Sequence, residues 1–268
     1  MSESITPPDQ RYLAGRHAVI TGGGRGIGAA VARELARLGA CLTLMGRDQK
    51  ALDERARSLE SELDADVATA RCDVSDEGAV ADSFARARAA HGDAYVLVNN
   101  AGVGEGTLFI DTNRALWDRI IGVNLTGAYL CTQQVLPAML AAKGGRVINV
   151  ASTAGLKGYA RMTAYCASKH GLVGLTRALA QETAKHGVTV NAVCPGYTDT
   201  AMAQLAVDNI VAGRGVTPEE ALRMMLRINP RGILTRPEEV ASAIGWLCSP
   251  DAAAVTGIAM PIAGGEVT

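Results

Sequence analysis

The sequence predicts an α/β fold, a single doubly wound parallel sheet of about seven strands with helices on both faces. Three observations carry this. Short apolar runs alternate with longer segments whose apolar residues recur at helical spacing, a glycine-rich turn follows the first run, and the alternation breaks once, over residues 199–236. Strand, helix and strand repeated this often need crossovers that cover both faces of a parallel sheet. With 268 residues and 48% apolar content, the chain can bury the core of one domain. That domain is expected over residues 13–268, after a flexible polar leader at 1–12 that contains two prolines.

In chain order the strand-like runs are HAVIT (17–21), CLTLM (41–45), VATARC (67–72), YVLVN (95–99), RVINVA (146–151), VTVNAVC (188–194) and the short TGIAMPI (256–262). Between them lie helical patterns such as AAVARELARLG and EGAVADSFARARAAHG. Two later helices, VNLTGAYLCTQQVLPAMLAAK and AYCASKHGLVGLTRALAQETAKHG, are apolar or small around much of their circumference. Such helices are covered on more than one side, either by a thick core or by another subunit of a homo-oligomer, a tetramer or dimer. The polar, arginine-rich and methionine-containing stretch 199–236 is the natural place for a helical substrate lid, after which RPEEVASAIGWLCS restores a helix.

A net charge of −1, with no long block of like charge, offers nothing to attract DNA or RNA. No stretch reaches the roughly 18 apolar residues of a membrane span, and the leader has no apolar signal core, so a soluble cytoplasmic protein is expected. The six cysteines and four histidines lack disulfide or zinc-ligand spacing. Reduced, buried thiols and no metal follow.

The first strand runs into Thr21-Gly22-Gly23-Gly24-Arg25-Gly26-Ile27-Gly28 and then a helix. Glycines let the backbone turn tightly and approach a pyrophosphate, whose charge suits the free N–H groups of the helix start. This reads as a dinucleotide cradle, spaced Gly22, Gly26, Gly28 in place of the commoner G-x-G-x-x-G. An acid at the end of the second strand would bind a ribose 2′-hydroxyl, and a basic residue there a 2′-phosphate. Here the strand ends Leu44-Met45-Gly46-Arg47-Asp48. Glycine stands where an NAD-selective acid would be, and Arg47 with Arg25 forms a two-guanidinium clamp suited to NADP(H). The competing reading makes Asp48 the ribose acid and the cofactor NAD(H).

Further along come Asn99-Asn100-Ala101-Gly102 after the fourth strand, Ser152 after the fifth, Tyr165 and Lys169 four residues apart on one helix face, and Pro195-Gly196 after the sixth. With the glycine turn, these motifs in this order make the chain, from about residue 15 onward, resemble the short-chain dehydrogenase/reductase family. Through VNLTG, YCASKHG, NAVCPG and TPEEA it is most similar to 3-oxoacyl-thioester reductases and aromatic polyketide ketoreductases. The resemblance implies a Rossmann-like fold and a tetrad of Asn124, Ser152, Tyr165 and Lys169. Tyr165 would pass a proton to the ketone oxygen, with its pKa lowered from ~10 by the neighbouring ammonium. Ser152 would donate a hydrogen bond to the same oxygen, Lys169 would also hold the nicotinamide ribose, and Asn124 would hold a relay water. The alternative for Asn124 is a buried amide that satisfies backbone groups.

Cofactor contacts implied in the same way are Gly22, Gly24, Arg25, Gly26, Ile27 and Gly28 in the cradle and Arg47 beyond it. Asp73 and Val74 would meet adenine, Asn100 with Ala101 and Gly102 would lie along the adenosine side, and Pro195, Gly196, Thr198 and Thr200 would serve the nicotinamide. One departure is visible, since Tyr95 stands where the family usually has an acid. The expected pocket is built by 102–106, 153–162 and the lid, with Met202, Leu205, Met224 and Met225 as apolar contacts. Arg214, Arg223, Arg227 and Arg231 either meet a thioester's phosphate or form a solvated face. The function expected is NADP-dependent reduction of a ketone, on a 3-oxoacyl, polyketide-like or cyclic substrate. The alternatives are an NAD-dependent alcohol dehydrogenase working oxidatively and a cofactor-sensing regulator without catalysis.

Overall fold

A computed structural model describes residues 11–267. Its strands are β1 (His17–Thr21), β2 (Cys41–Gly46), β3 (Val67–Arg71), β4 (Ala94–Asn99), β5 (Gly145–Val150), β6 (Val188–Pro195) and β7 (Ala259–Ile262). They form one seven-stranded sheet in the order β3-β2-β1-β4-β5-β6-β7, parallel throughout. The helices are α1 (Gly26–Arg37), α2 (Gln49–Leu63), α3 (Glu77–His91), α4 (Arg114–Ile121), α5 (Gly127–Ala141), α6 (Thr163–Thr183), α7 (Ala201–Arg214), α8 (Pro218–Leu226) and α9 (Pro237–Cys248).

The two-residue period of a strand divides the core. Ala18, Ile20, Val96, Val98, Ile148 and Val150 face one layer, where they meet α1 and α9. Val19, Leu97 and Val147 face the other, against α3 and α5. β7 is shorter than its apolar run, because Gly257 turns at φ 76° and the Thr256 hydroxyl is taken up by Val190 N. The sheet grows outward in both directions from β1 and β4, so the crevice for a ligand opens beyond their C-terminal ends.

Three features position the site. α4 joins α5 through a single π turn, Gly122–Thr126, which turns Asn124 into the interior; one extra residue per turn is how such bulges re-aim a side chain. The lid is α7 and α8 with a small core of their own, Ala203, Val207, Ala221 and Met225, and α8 starts on a Thr217–Glu220 capping box with Pro218 behind it. Most of the expected leader falls outside the described residues. Its last residue, Tyr12, is docked, with its phenol donating to Gly245 O on α9 at 2.6 Å. Tyr95 lies at the opposite end of the sheet from the crevice, with the guanidinium of Arg16 4.4 Å and that of Arg146 5.6 Å from its ring centroid. Cation–π contact serves these arginines there.

Candidate active site

The glycine turn after β1 is a backbone cradle braced from β4. The Asn100 amide donates to Thr21 O at 2.9 Å and to Gly22 O at 3.2 Å. Thr21 Oγ1 accepts from the N–H groups of Asn100 and Ala101. Gly22 has φ 66°, and a Cβ on it would stand 2.7 Å from the Asn100 amide nitrogen. A Cβ on Gly28 would collide with the Gly22 carbonyl oxygen. No side chain caps α1 and no acid lies in its first turn, so the N–H groups there can receive an anion. This arrangement fits the pyrophosphate of a dinucleotide. The Asn100 amide nitrogen is committed to Thr21 and Gly22 and so serves the turn itself.

At the end of β2, Arg25 is turned toward Asp48, at 2.6 Å. The same carboxylate caps α2 by accepting from Ala51 N at 3.2 Å. The expected Arg25–Arg47 clamp is therefore open in this state, and Asp48 already carries two structural contacts. A Cβ on Gly46 would meet nothing closer than Leu52 at 3.5 Å, so no acid fills the NAD-selective position although space for one exists. Asp73 does not cap α3, a role taken by Asp76. Its carboxylate accepts from Ser75 N and Ser75 Oγ, which, with Arg47 nearby, holds it below the usual carboxylate range. The Val74 side chain is buried against Gly127.

The remaining expected residues converge beyond β4, β5 and β6. Ser152 begins the short turn 153–155 after β5, and its Oγ accepts from Ala154 N at 3.1 Å. Tyr165 and Lys169 lie one turn apart in α6, the ammonium 5.7 Å from the phenol ring centroid. Lys169 is buried and donates to Val150 O at 2.8 Å, and burial pulls its pKa down to about 8. The phenol behaves differently from the sequence expectation. Burial raises the Tyr165 pKa and outweighs the opposing hydrogen bond from Ser152.

The Asn124 side chain is tied to the loop after β4 and to α6. Its Oδ1 accepts from Val103 N at 2.8 Å, and its Nδ2 donates to Val103 O at 2.9 Å and to Ser168 Oγ at 3.1 Å. Both amide protons are thus committed, and the side chain pins the loop after β4 in place. That loop closes over the tyrosine, since a Cβ on Gly104 would stand 3.5 Å from the Tyr165 ring and 3.8 Å from Met202 Sδ, and one on Gly106 would stand 3.3 Å from Met162 Sδ. Gly102 faces Asn124 and Lys169. The lid begins against the cradle, with Thr200 Cγ2 3.1 Å from a Cβ placed on Gly26, while Thr198 donates to Gly196 O and Thr200 to Thr198 O.

These loops and helices bring a phenol, a hydroxyl and a buried ammonium together in the crevice beside the phosphate cradle. A model of the short chain dehydrogenase family matches residues 16–210. The chain belongs to the short-chain dehydrogenase family. It is therefore an oxidoreductase of the hydroxyl–carbonyl couple that works with a nicotinamide dinucleotide. The protein assigned as ketoacyl reductase 1 of the granaticin polyketide synthase of Streptomyces violaceoruber is 42% identical, over 92% of this chain and 92% of its own. The 3-oxoacyl-[acyl-carrier-protein] reductase FabG of Pseudomonas aeruginosa is 36% identical, over 94% and 98%. A crystal structure of an actinorhodin polyketide ketoreductase variant with NADPH superposes with a TM-score of 0.90, at 37% identity over 94% of this chain and 97% of that one.

Two of the expected lid contacts lie elsewhere in this short-chain dehydrogenase. Met225 is in the lid's own core, and Arg231 is paired with Glu239 at 3.0 Å. Leu205, Met224, Arg214, Arg223 and Arg227 are exposed. Thr21 and Val103, which brace the cradle and the loop, and Lys157 and Tyr159 beside Thr153 lie within the expected cradle and pocket stretches, but no motif marks their contacts, and Glu266 lies outside every expected stretch. The signal for these contacts is proximity in space.

Proposed function

We propose that this short-chain dehydrogenase reduces a ketone to a secondary alcohol with NADPH, on a polyketide-like or 3-oxoacyl substrate. The observation that carries this reading is the convergence of the Ser152 hydroxyl, the Tyr165 phenol and the buried Lys169 ammonium, 5.7 Å from the phenol ring, beside the phosphate cradle, and the reductase names of the relatives support the direction. A phenol whose pKa is raised by burial holds its proton at neutral pH, so Tyr165 is in the form that gives a proton. When bound, the reduced dinucleotide supplies the hydride to the carbonyl carbon. Tyr165 delivers the proton to the oxygen, Ser152 donates a hydrogen bond to that oxygen as negative charge develops, and Lys169 stabilises the phenolate left behind. Asn124 keeps the Val103 loop in place over this chemistry.

NADPH is favoured by Gly46 in the acid's position and by Arg25 and Arg47 beside it; the NADPH in the actinorhodin ketoreductase structure supports the same choice. The exposed lid arginines 214, 223 and 227 suit the phosphates of a CoA or carrier-protein thioester, and the names of the granaticin and Pseudomonas relatives support an acyl substrate. Tyr129 on α5 and Trp246 on α9 are exposed aromatics, which supports a homo-oligomer built on those helices. Among the described residues no helix is long and apolar enough to cross a membrane, in keeping with a cytoplasmic enzyme.

The test is a matrix of kcat/KM values for NADPH and NADH against acetoacetyl-CoA, cyclic ketones and aryl ketones. NADPH is expected to lead by about tenfold or more, the discrimination of a guanidinium–phosphate contact, and Arg47→Ala to narrow that lead. A preference for NADH refutes the NADP assignment, and no advantage for acetoacetyl-CoA over plain ketones removes the thioester.

A further inference from the structure

The stretch after β7 carries an acid that no motif marks. The Glu266 side chain is 1% exposed, with Oε1 3.3 Å from Lys157 Nζ. Oε1 also accepts a hydrogen bond from the Tyr159 phenol, and the Lys157 ammonium donates to the Glu266 main-chain oxygen at 3.2 Å. The Tyr159 hydroxyl lies 2.7 Å from Thr153 Oγ1. A phenol has one proton and a carboxylate is the stronger acceptor, so Thr153 donates to Tyr159 and Tyr159 to Glu266. Oε2 has no hydrogen-bond partner among the described residues, and it would stand 2.9 Å from a Cβ on Gly196. One buried carboxylate thus meets both sides of the cleft. Thr153, Lys157 and Tyr159 follow Ser152, while Gly196 opens the segment that carries Thr198 and Thr200.

A carboxylate buried with one oxygen unserved is costly, and Tyr159 and Lys157 are the partners that hold it. We infer that Glu266 is a positioning residue that acts through Tyr159 and Thr153 to set the cleft wall beside Ser152, against which the ketone's substituent rests. The C-terminal stretch thereby becomes part of the active centre.

The inference rests on the ketone reduction proposed above, and the experiment separates the two. Steady-state kinetics with a ketone that the wild type reduces, NADPH titration by fluorescence and thermal melts would be run on wild type, Glu266→Ala, Glu266→Gln, Tyr159→Phe and the Glu266→Ala/Tyr159→Phe double variant. Glu266→Ala is expected to raise the ketone KM about tenfold with a smaller change in kcat, and to leave the NADPH Kd within about twofold. Glu266→Gln, which keeps an acceptor for Tyr159, is expected to recover most of the loss. In the Tyr159→Phe background the effect of Glu266→Ala is expected to shrink below about twofold, because the two residues act as a unit. The inference is overturned by an unchanged KM in Glu266→Ala, by a full tenfold effect that persists without the Tyr159 hydroxyl, or by a lower kcat and melting temperature at constant KM. Should Glu266→Ala fold poorly, an unchanged KM in Tyr159→Phe overturns it equally. A wild type that reduces no ketone overturns the ketone reduction, and the inference with it.

Discussion

Tyr165 and Lys169 are opposed in their response to burial. Desolvation penalises the charged form of each, so the phenol is pushed up and the ammonium down, to about 8. The first keeps a proton available at neutral pH, and the second leaves the lysine charged there with little margin. Tyr165→Phe should leave the dinucleotide Kd within about twofold and lower kcat for ketone reduction by about two to four orders of magnitude, the span of positioned acid catalysis. Stopped-flow single turnovers would show survival of the chemical step if another donor is used. Lys169 sets a pH limit. Its positive charge is lost as pH rises through about 8, so kcat/KM for the dinucleotide, which reports the free enzyme, should be flat below pH 8 and fall above it. A profile level through this range would remove Lys169 from dinucleotide recognition.

Among the elements, the cradle turn and the π turn constrain the backbone most tightly. Gly28 lies at the start of α1 with the Gly22 carbonyl directly against it, so an added methyl cannot be absorbed by a flexible side chain. Gly28→Ala is expected to weaken NADPH binding at least about tenfold, the result of displacing the first turn of α1 from the pyrophosphate, while circular dichroism stays native. Binding of normal strength would show that α1 does not receive the phosphates. The π turn has a less direct role, because it aims Asn124 at Val103. No periodicity in GVNLT announces such a turn. The contacts of Asn124 with Val103 and Ser168 follow from the fold.

For the molecule as a whole, the end of the sheet remote from the cleft governs acid stability. His17 is buried, with one ring nitrogen bonded to Gly92 O and the other to Thr43 Oγ1, each at 2.9 Å, and burial lowers its pKa to about 4. An unfolded histidine titrates near ~6.5. Between these values the unfolded chain binds the extra proton, so stability rises with pH across the window and is lost as pH falls from about 6.5 toward 4. The loss at the low end is about 3 kcal/mol for a shift of this size. Urea midpoints taken from pH 7 to 4.5 should fall in wild type and fall less in His17→Gln; parallel declines would assign acid sensitivity to the carboxylates.

Much of this molecule was legible in its residues alone. Each expected strand run corresponds to a strand, because residues buried on both faces of a parallel sheet are apolar almost without interruption. The glycine turn, Ser152, Tyr165 and Lys169 could be read because their chemistry needs fixed residue types at short spacings, and these survive in one dimension. Other features depended on distance across the fold. The opposing pKa shifts of Tyr165 and Lys169 come from burial, which sequence spacing does not measure. The turning of Arg25 to Asp48 and of Asn100 to the cradle comes from hydrogen-bonding capacity satisfied by the nearest partner. Glu266 is separated from Tyr159 by 107 positions and reaches it only because β7 returns the chain to the cleft. The sequence by itself determined the fold and which candidate groups meet beside the cradle, through patterns of hydrophobicity and local spacing. Only the tertiary structure decided how those groups are charged, braced and walled in, because desolvation and hydrogen bonding depend on what surrounds a side chain in space.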